Sequence, residues 1–239
     1  MKKSLIFILI PSCMLLIVSC SKYKKTKKDN NNYIHKIIPY NSQSEDSISY
    51  ELWYATAFLL PESEIPQVPQ INEMEQILSE KLQSFKDSLL YSVKNGKIPL
   101  IQDNKGRNIS PLIKDYIKSG DVNSYCKLSA YSPPTVSFYM AEIYNFTPAY
   151  TNTFYGLLKY SKRINPDENF NEYLLKFLRK EDQDLAIYSL IKSYKKGNID
   201  EAKILAYYFR EGLYFNKDID VANVLDSIYE NKLPLIESE

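Results

Sequence analysis

Residues 199–222 read IDEAKILAYYFREGLYFNKDIDVA, and this stretch decides the fold. Apolar and small residues recur at helical spacing on both sides of Gly212–Lys217, which predicts a helix over 199–211 and a second over 218–231. Small residues in the first helix let another helix approach closely, and an aromatic ring fills the groove beside them. Two short helices joined by a short loop are expected to pack as an antiparallel hairpin.

The same pattern occurs earlier in the chain. Residues 182–186, DQDLA, match residues 218–222, DIDVA, at a spacing of 36 residues. A period in the thirties is typical of helix–turn–helix repeats. A second set of similar positions pairs Ser137, Met140, Ala141 and Tyr144 with Ala202, Leu205, Ala206 and Phe209.

The last copy resembles a Sel-like repeat, a relative of the tetratricopeptide repeat. The matching residues are Ala202 and Leu205 in the first helix, Gly212 in the loop, and Asp218 and Ala222 in the second helix, while Ala206 stands in the glycine place and Phe209 in the tyrosine place. The chain departs from the pattern where Ala206 and Tyr214 replace glycines and Phe215 replaces a valine. The resemblance implies an α-solenoid over residues 132–239. An irregular helical bundle that contains one such hairpin is the alternative.

An all-α fold is predicted for the rest of the folded chain. After residue 132, helices are predicted over 135–146, 151–163, 168–179, 182–195, 199–211 and 218–231. Residues 45–131 are predicted to form an N-terminal helical region, which begins with a helix over 45–60. A β-strand is the alternative for 45–60, because this stretch is rich in aromatic residues. Its clearest helix covers 72–94, with Asn72 as the cap and Gly96 at the end. Further helix caps and ends are predicted at Ser110, Gly120 and Asp121.

The first twenty residues, MKKSLIFILIPSCMLLIVSC, have a basic start and an apolar run that ends at Cys20. The run is shorter than the roughly 20 apolar residues that a membrane-spanning helix needs. This layout predicts a cleaved secretory signal. With a cysteine directly after the small residue Ser19, it resembles a bacterial lipoprotein signal.

That resemblance implies that residues 1–19 are removed and that the thiol of Cys20 carries a lipid. Cys13, inside the apolar run, is the rival site. Residues 20–44 are then expected to be the lipidated N-terminus and a flexible tether, because their first half is highly charged and poorly hydrophobic. The remaining domain is expected to face the periplasm from the outer membrane or the cell membrane.

Composition limits the partners. Without residues 1–19 the chain has 28 basic and 29 acidic residues, since that segment contains two lysines and no acid. This balance argues against a nucleic-acid partner. Of the three cysteines only Cys126 belongs to the folded part, so no internal disulfide is expected, and the thiol is predicted to be buried. The 21 tyrosines suit large amphipathic helix faces whose hydroxyls lie near solvent.

The sequence contains no recognisable catalytic, metal or cofactor motif. The one histidine, His35, lies in the predicted tether, so a serine or cysteine nucleophile has no histidine base in the folded part. The carboxylate pairs Asp182/Asp184 and Asp218/Asp220 stand at predicted helix starts. They are interpreted as caps that bind free amides.

A protein-binding surface is therefore predicted, with Tyr207, Tyr208, Tyr214 and Phe215 as its residues, because aromatic side chains are enriched where proteins bind each other. The Sel-like resemblance implies an interaction module, and small lipoproteins of that kind include immunity proteins against secreted antibacterial effectors. The alternative is a periplasmic accessory protein of envelope biogenesis, or an enzyme with an unrecognised carboxylate site. A deep acidic cleft would favour that alternative.

Overall fold

The computed structural model describes residues 50–57 and 59–237. Over these residues the fold is all-helical, as predicted, and contains no β-strand. The predicted lipid site Cys20, the tether and His35 lie outside the described residues. The α-helices are α1 (Tyr50–Thr56), α2 (Pro69–Lys94), α3 (Ser110–Ser119), α4 (Val122–Leu128), α5 (Pro134–Tyr144), α6 (Thr147–Ile164), α7 (Lys180–Lys195), α8 (Glu201–Glu211) and α9 (Ile219–Glu237).

Proline residues set several helix starts. Helix α2 begins at Pro69, and proline also stands in the first turn of α3, α5 and α6, where its missing N–H has no intrahelical partner to lose. The predicted cap Asn72 is therefore wrong. It lies inside α2, and its amide donates to the side chain of Gln67 at 3.2 Å. The predicted cap Asp121 is confirmed, because its carboxylate accepts from the backbone of Asn123 and Ser124.

The predicted helix over 168–179 is wrong in extent. The structure has a short 3₁₀ helix there, Glu172–Phe177. The side chain of Asn171 caps it by accepting from the backbone N–H of Tyr173 at 3.1 Å. An asparagine that binds the backbone two residues later favours a turn over a longer helix. This turn brings Glu172 close to the N-terminal half of α6 and to α8.

The helices α5 to α9 pack in chain order, each against the next, and α2 lies against α5 and α7. One hydrophobic core contains buried residues from both sides of the predicted boundary at 131/132. This boundary therefore does not separate two cores. Between α2 and α7, the carboxylate of Glu75 accepts from Lys192 at 3.0 Å and from Lys195 at 2.5 Å.

Several tyrosines are buried more deeply in the core than the sequence analysis predicted. Tyr116, Tyr125, Tyr194 and Tyr208 are fully buried, so the expectation that such hydroxyls lie near solvent is wrong for them. Each hydroxyl is hydrogen-bonded, for example Tyr116 to Ser132 at 2.7 Å and Tyr194 to the carbonyl of Pro66 at 2.7 Å. A buried hydroxyl needs such a partner to offset its desolvation. Cys126 is buried, as predicted.

The turn between α7 and α8 is joined to the N-terminal part of the described chain. The backbone N–H of Leu60 donates to the carbonyl of Gly197 at 3.0 Å. Gly197 has a φ of +109°, and a Cβ at this position would meet the carbonyl oxygen of Leu60. This contact and the hydrogen bond between Tyr194 and Pro66 together hold residues 60–66 against the α7–α8 turn.

Candidate binding cleft

Two of the four predicted surface aromatics belong to the core. Tyr208 is 0% exposed, and its hydroxyl donates to the carbonyl of Glu172 at 3.0 Å. Phe215 is 5% exposed and stacks on Phe209, with ring centroids 4.1 Å apart. Neither ring is available to a partner. The prediction failed because Tyr208 follows Leu205 by three residues, on the buried face of α8.

Tyr214 is half-buried and belongs to an ionic cluster. Its hydroxyl donates to Asp184 at 2.5 Å, which also forms ion pairs with Lys81 and with Lys180, the latter at 3.3 Å. Burial raises the pKa of Asp184, but the hydrogen bonds from Lys81 and Tyr214 and the charge of Lys180 outweigh it, and the pKa lies below its ordinary value.

The interpretation of Asp184 as a cap is therefore wrong. Helix α7 begins at Lys180, two residues earlier than predicted, so Asp184 lies inside it and faces α2 and the α8–α9 loop. By contrast, the capping role of Asp218 is confirmed, since its carboxylate accepts from the backbone of Val221 at 3.0 Å.

The fourth aromatic, Tyr207, lines a cleft of about 500 Å³ beside the α8–α9 hairpin. Helix α6 contributes Tyr155, the 3₁₀ helix contributes Glu172, and α9 contributes Tyr229. This volume falls within the range of about 300–1,000 Å³ that is usual for ligand sites. The cleft therefore combines three tyrosine rings from three different helices.

A buried carboxyl group, Glu201, forms part of the cleft wall. Its side chain is only 2% exposed, and its Oε1 accepts from the hydroxyl of Thr151 at 2.8 Å and from the amide of Asn198 at 3.0 Å. The Thr151 hydroxyl also lies 2.7 Å from the hydroxyl of Ser193. Residues of α6, α7, the α7–α8 turn and α8 thus hold this carboxyl in place.

The environment of Glu201 favours its neutral form. Burial is the largest effect and raises its pKa to about 7, with further increases from the negative charges of Asp200 and Glu172, against the hydrogen bonds from Thr151 and Ser193. Glu201 is the first residue of α8, where the helix dipole stabilises a negative charge. At this position burial has the larger effect.

The cleft lining is rich in acids. Glu172, Asp200 and Glu201 line it, and among the described lining residues the basic group is Lys203. The ammonium of Lys203 lies 5.3 Å from the centroid of the Tyr229 ring, within cation–π distance. The cleft can therefore hold a positive charge against an aromatic ring, and its own lysine does so.

Sequence reasoning identified Tyr207 but missed Thr151, Asn198 and Glu201. One signal pointed to the buried acid, because Glu201 lies four residues before Leu205 on the apolar stripe of α8. A carboxylate on such a stripe is either buried with hydrogen-bond partners or at the edge of the core. Its partners come from α6 and the α7–α8 turn, and their proximity depends on tertiary packing.

Two further findings concern the described residues alone. None of their helices is both long and apolar enough to cross a membrane. In the same part of the chain, His, Cys, Asp and Glu side chains do not come together in a group of three or more that could hold a metal ion.

Comparisons with protein-family models, with curated proteins and with solved structures find no match to the chain.

Proposed function

We propose that this chain is a lipid-anchored protein of the bacterial envelope whose helical hairpins bind another protein. The observation that carries the proposal is the cleft with Tyr155, Tyr207 and Tyr229 in its lining. Tyrosine supplies a large contact area together with a polar group, which is why it is enriched at protein interfaces. The anchoring part of the proposal rests on the lipoprotein-like signal that ends at Cys20.

The hairpin geometry supports a Sel-like repeat as the building unit. Ala202, Ala206 and Ala222 are all fully buried, as small residues between two closely packed helices are expected to be. Gly212 ends α8 in the left-handed conformation with a φ of +66°. The successive packing of α5 to α9 agrees with a short solenoid, which presents a continuous surface to a partner.

The partner proposed here is a secreted antibacterial effector that the chain neutralises in the periplasm, as an immunity protein does. Such a role needs no catalytic group in the chain. It needs a surface that covers the active site of the toxin and an anchor that keeps the protein at the membrane. The tyrosine-lined cleft and the signal at Cys20 are the two features that fit these needs.

The test is capture of a partner from envelope extracts, with the full chain as bait in a non-ionic detergent. The Tyr207→Ala variant should lose one stoichiometric partner that the parent retains. Tyr160→Ala is the matched control, because Tyr160 is an exposed tyrosine on α6 that does not line the cleft. Equal capture by the parent and by the Tyr207 variant would contradict the assignment of this cleft.

A second candidate function is hydrolysis by a carboxylate pair. It is favoured by one observation, the acidic cleft in which Glu201 has a pKa of about 7 beside Glu172 and Asp200. A carboxyl group with such a pKa is suited to act as a general acid near neutral pH. The test is turnover of purified peptidoglycan, which Glu201→Gln should abolish. No turnover by the parent protein would exclude this substrate.

A further inference from the structure

We propose that the cleft beside the α8–α9 hairpin binds an arginine side chain of the partner protein. This inference rests on the proposed protein-binding function and adds the chemistry that the partner must present. Three features of the cleft carry it: the acids of its lining, the faces of its tyrosine rings, and the position of its own lysine.

Charge is the first feature. Glu172 and Asp200 line the cleft together with the buried Glu201, and the negative charges of Asp200 and Glu172 each raise the pKa of Glu201. Asp200 is exposed at the edge of the cleft. A cationic group that enters here would offset the negative charge of Glu172 and Asp200, whereas an anionic group would add to it.

The aromatic rings are the second feature. Tyr155 and Tyr207 line the cleft with Tyr229, and burial raises the pKa of both Tyr155 and Tyr207, so their hydroxyls stay neutral. Neutral tyrosine rings attract a cation to their faces. The planar guanidinium group stacks on such faces and donates to carboxylates with two parallel hydrogen bonds, which a lysine ammonium cannot do.

The position of Lys203 is the third feature. Its ammonium lies over Tyr229 at 5.3 Å from the ring centroid, so one ring of the cleft already holds a cation. Lys203 is otherwise exposed. A partner arginine would take the equivalent place beside Tyr207 and the acids, and it would be repelled by Lys203. Removing the charge of Lys203 should therefore strengthen binding.

The test uses the full chain in non-ionic detergent with tyrosine rings labelled with carbon-13. The probe is the peptide acetyl-Gly-Gly-Arg-Gly-Gly-amide, and chemical shifts are followed during its titration. The matched probe carries citrulline, which has the shape of arginine without its charge. We expect the arginine peptide to shift the Tyr207 resonance and the citrulline peptide to leave it unchanged.

Variants test the direction of each effect. Tyr207→Leu should weaken binding of the arginine peptide by about fivefold, and Tyr207→Phe, which keeps the ring face, should retain it. Lys203→Gln should strengthen binding by about fivefold because it removes a like charge. Weaker binding by Lys203→Gln, or equal binding of the citrulline peptide, would overturn the inference.

The result is independent of partner capture. If a partner is captured through Tyr207 but the arginine peptide does not bind, the arginine inference fails and the protein-binding function stands. If the peptide binds as expected but no partner is captured from extracts, the recognition chemistry stands and the proposed partner is wrong.

Discussion

At the scale of single residues, Glu201 shows how a helix start can hold a neutral acid. The first turn of a helix stabilises a negative charge by a few tenths to about 1 kcal/mol. Burial and the charges of Asp200 and Glu172 act in the opposite direction and raise the pKa of Glu201 to about 7. Hydrogen bonds from Thr151 and Asn198 satisfy the carboxyl oxygen without a counter-ion.

This raised pKa has a consequence for stability. In the unfolded chain Glu201 releases its proton near pH 4.5, and in the folded chain only near pH 7. The folded state therefore binds the proton more tightly, and the free energy of unfolding should fall as the pH rises through this window. Across the whole window the free energy of unfolding should fall by about 3 kcal/mol, since each pKa unit corresponds to about 1.4 kcal/mol.

Replacement of Glu201 by glutamine should remove this dependence. At about pH 8 the variant is expected to be more stable than the parent by up to about 3 kcal/mol, and at about pH 5 nearly equal to it. Urea unfolding followed by circular dichroism measures both values. Glu211→Gln, an exposed acid on the same helix, is the control and should show no such difference.

The acids whose pKa is lowered affect stability at a lower pH. They therefore do not disturb the comparison of the parent with the Glu201→Gln variant. Glu75 and Asp184 have their pKa lowered by lysine partners, in spite of burial. Their stabilisation is present above the pKa of the unfolded chain and is lost as the pH falls through the folded value. If the free energy of unfolding fell equally for the parent and for the Glu201→Gln variant between pH 5 and 8, the role of Glu201 would be contradicted.

At the scale of elements, features that depend on local sequence were predictable, and features that depend on tertiary contacts were not. The ends of α2 and α3 at Gly96 and Gly120 were predictable, because a glycine after a periodic stretch terminates a helix through local hydrogen bonds alone. The start of α2 was missed because Pro69 begins the helix before its cap-like Asn72. The cleft was missed, apart from Tyr207, because its walls come from helices that are distant in sequence.

The α7–α8 turn gives a prediction at this scale. Gly197→Ala should destabilise the protein by about 3 kcal/mol, since the residue has a positive φ and its Cβ would meet the carbonyl of Leu60. Gly106→Ala is the matched control, because Gly106 also has a positive φ, +74°, but has no atom within 4 Å of the added Cβ. It should cost about 1 kcal/mol, the backbone strain alone.

Chemical denaturation of the two alanine variants measures both effects. A loss for Gly197→Ala no larger than for Gly106→Ala would mean that the contact with Leu60 does not constrain the turn. A larger loss that is accompanied by weaker binding of the arginine peptide would show that the turn also positions Asn198 and Glu201.

At the scale of the whole molecule, α2 holds the N-terminal and C-terminal halves together. It packs on α5 and α7, and Glu75 joins it to Lys192 and Lys195 of α7. The folded part described here is thus one unit, and the proposed membrane attachment would act on it as a whole through the chain that precedes α1.

The attachment itself can be tested in cells. Cys20→Ala should move the protein from the membrane fraction to the soluble fraction and abolish labelling with radioactive palmitate, because the proposal joins the lipid to this thiol. Cys13→Ala is the control and should change neither result. Membrane retention and labelling that survive in the Cys20 variant would refute the lipoprotein assignment.

The contact between Leu60 and Gly197 also connects the N-terminal part of the described chain to the cleft. Leu60 is bonded to Gly197, and the next residue, Asn198, donates to both Thr151 and Glu201 in the cleft. Residue 60 is therefore connected to the wall of the cleft through one hydrogen bond and one peptide unit. A displacement of residue 60 would therefore disturb the same few bonds that shape the cleft.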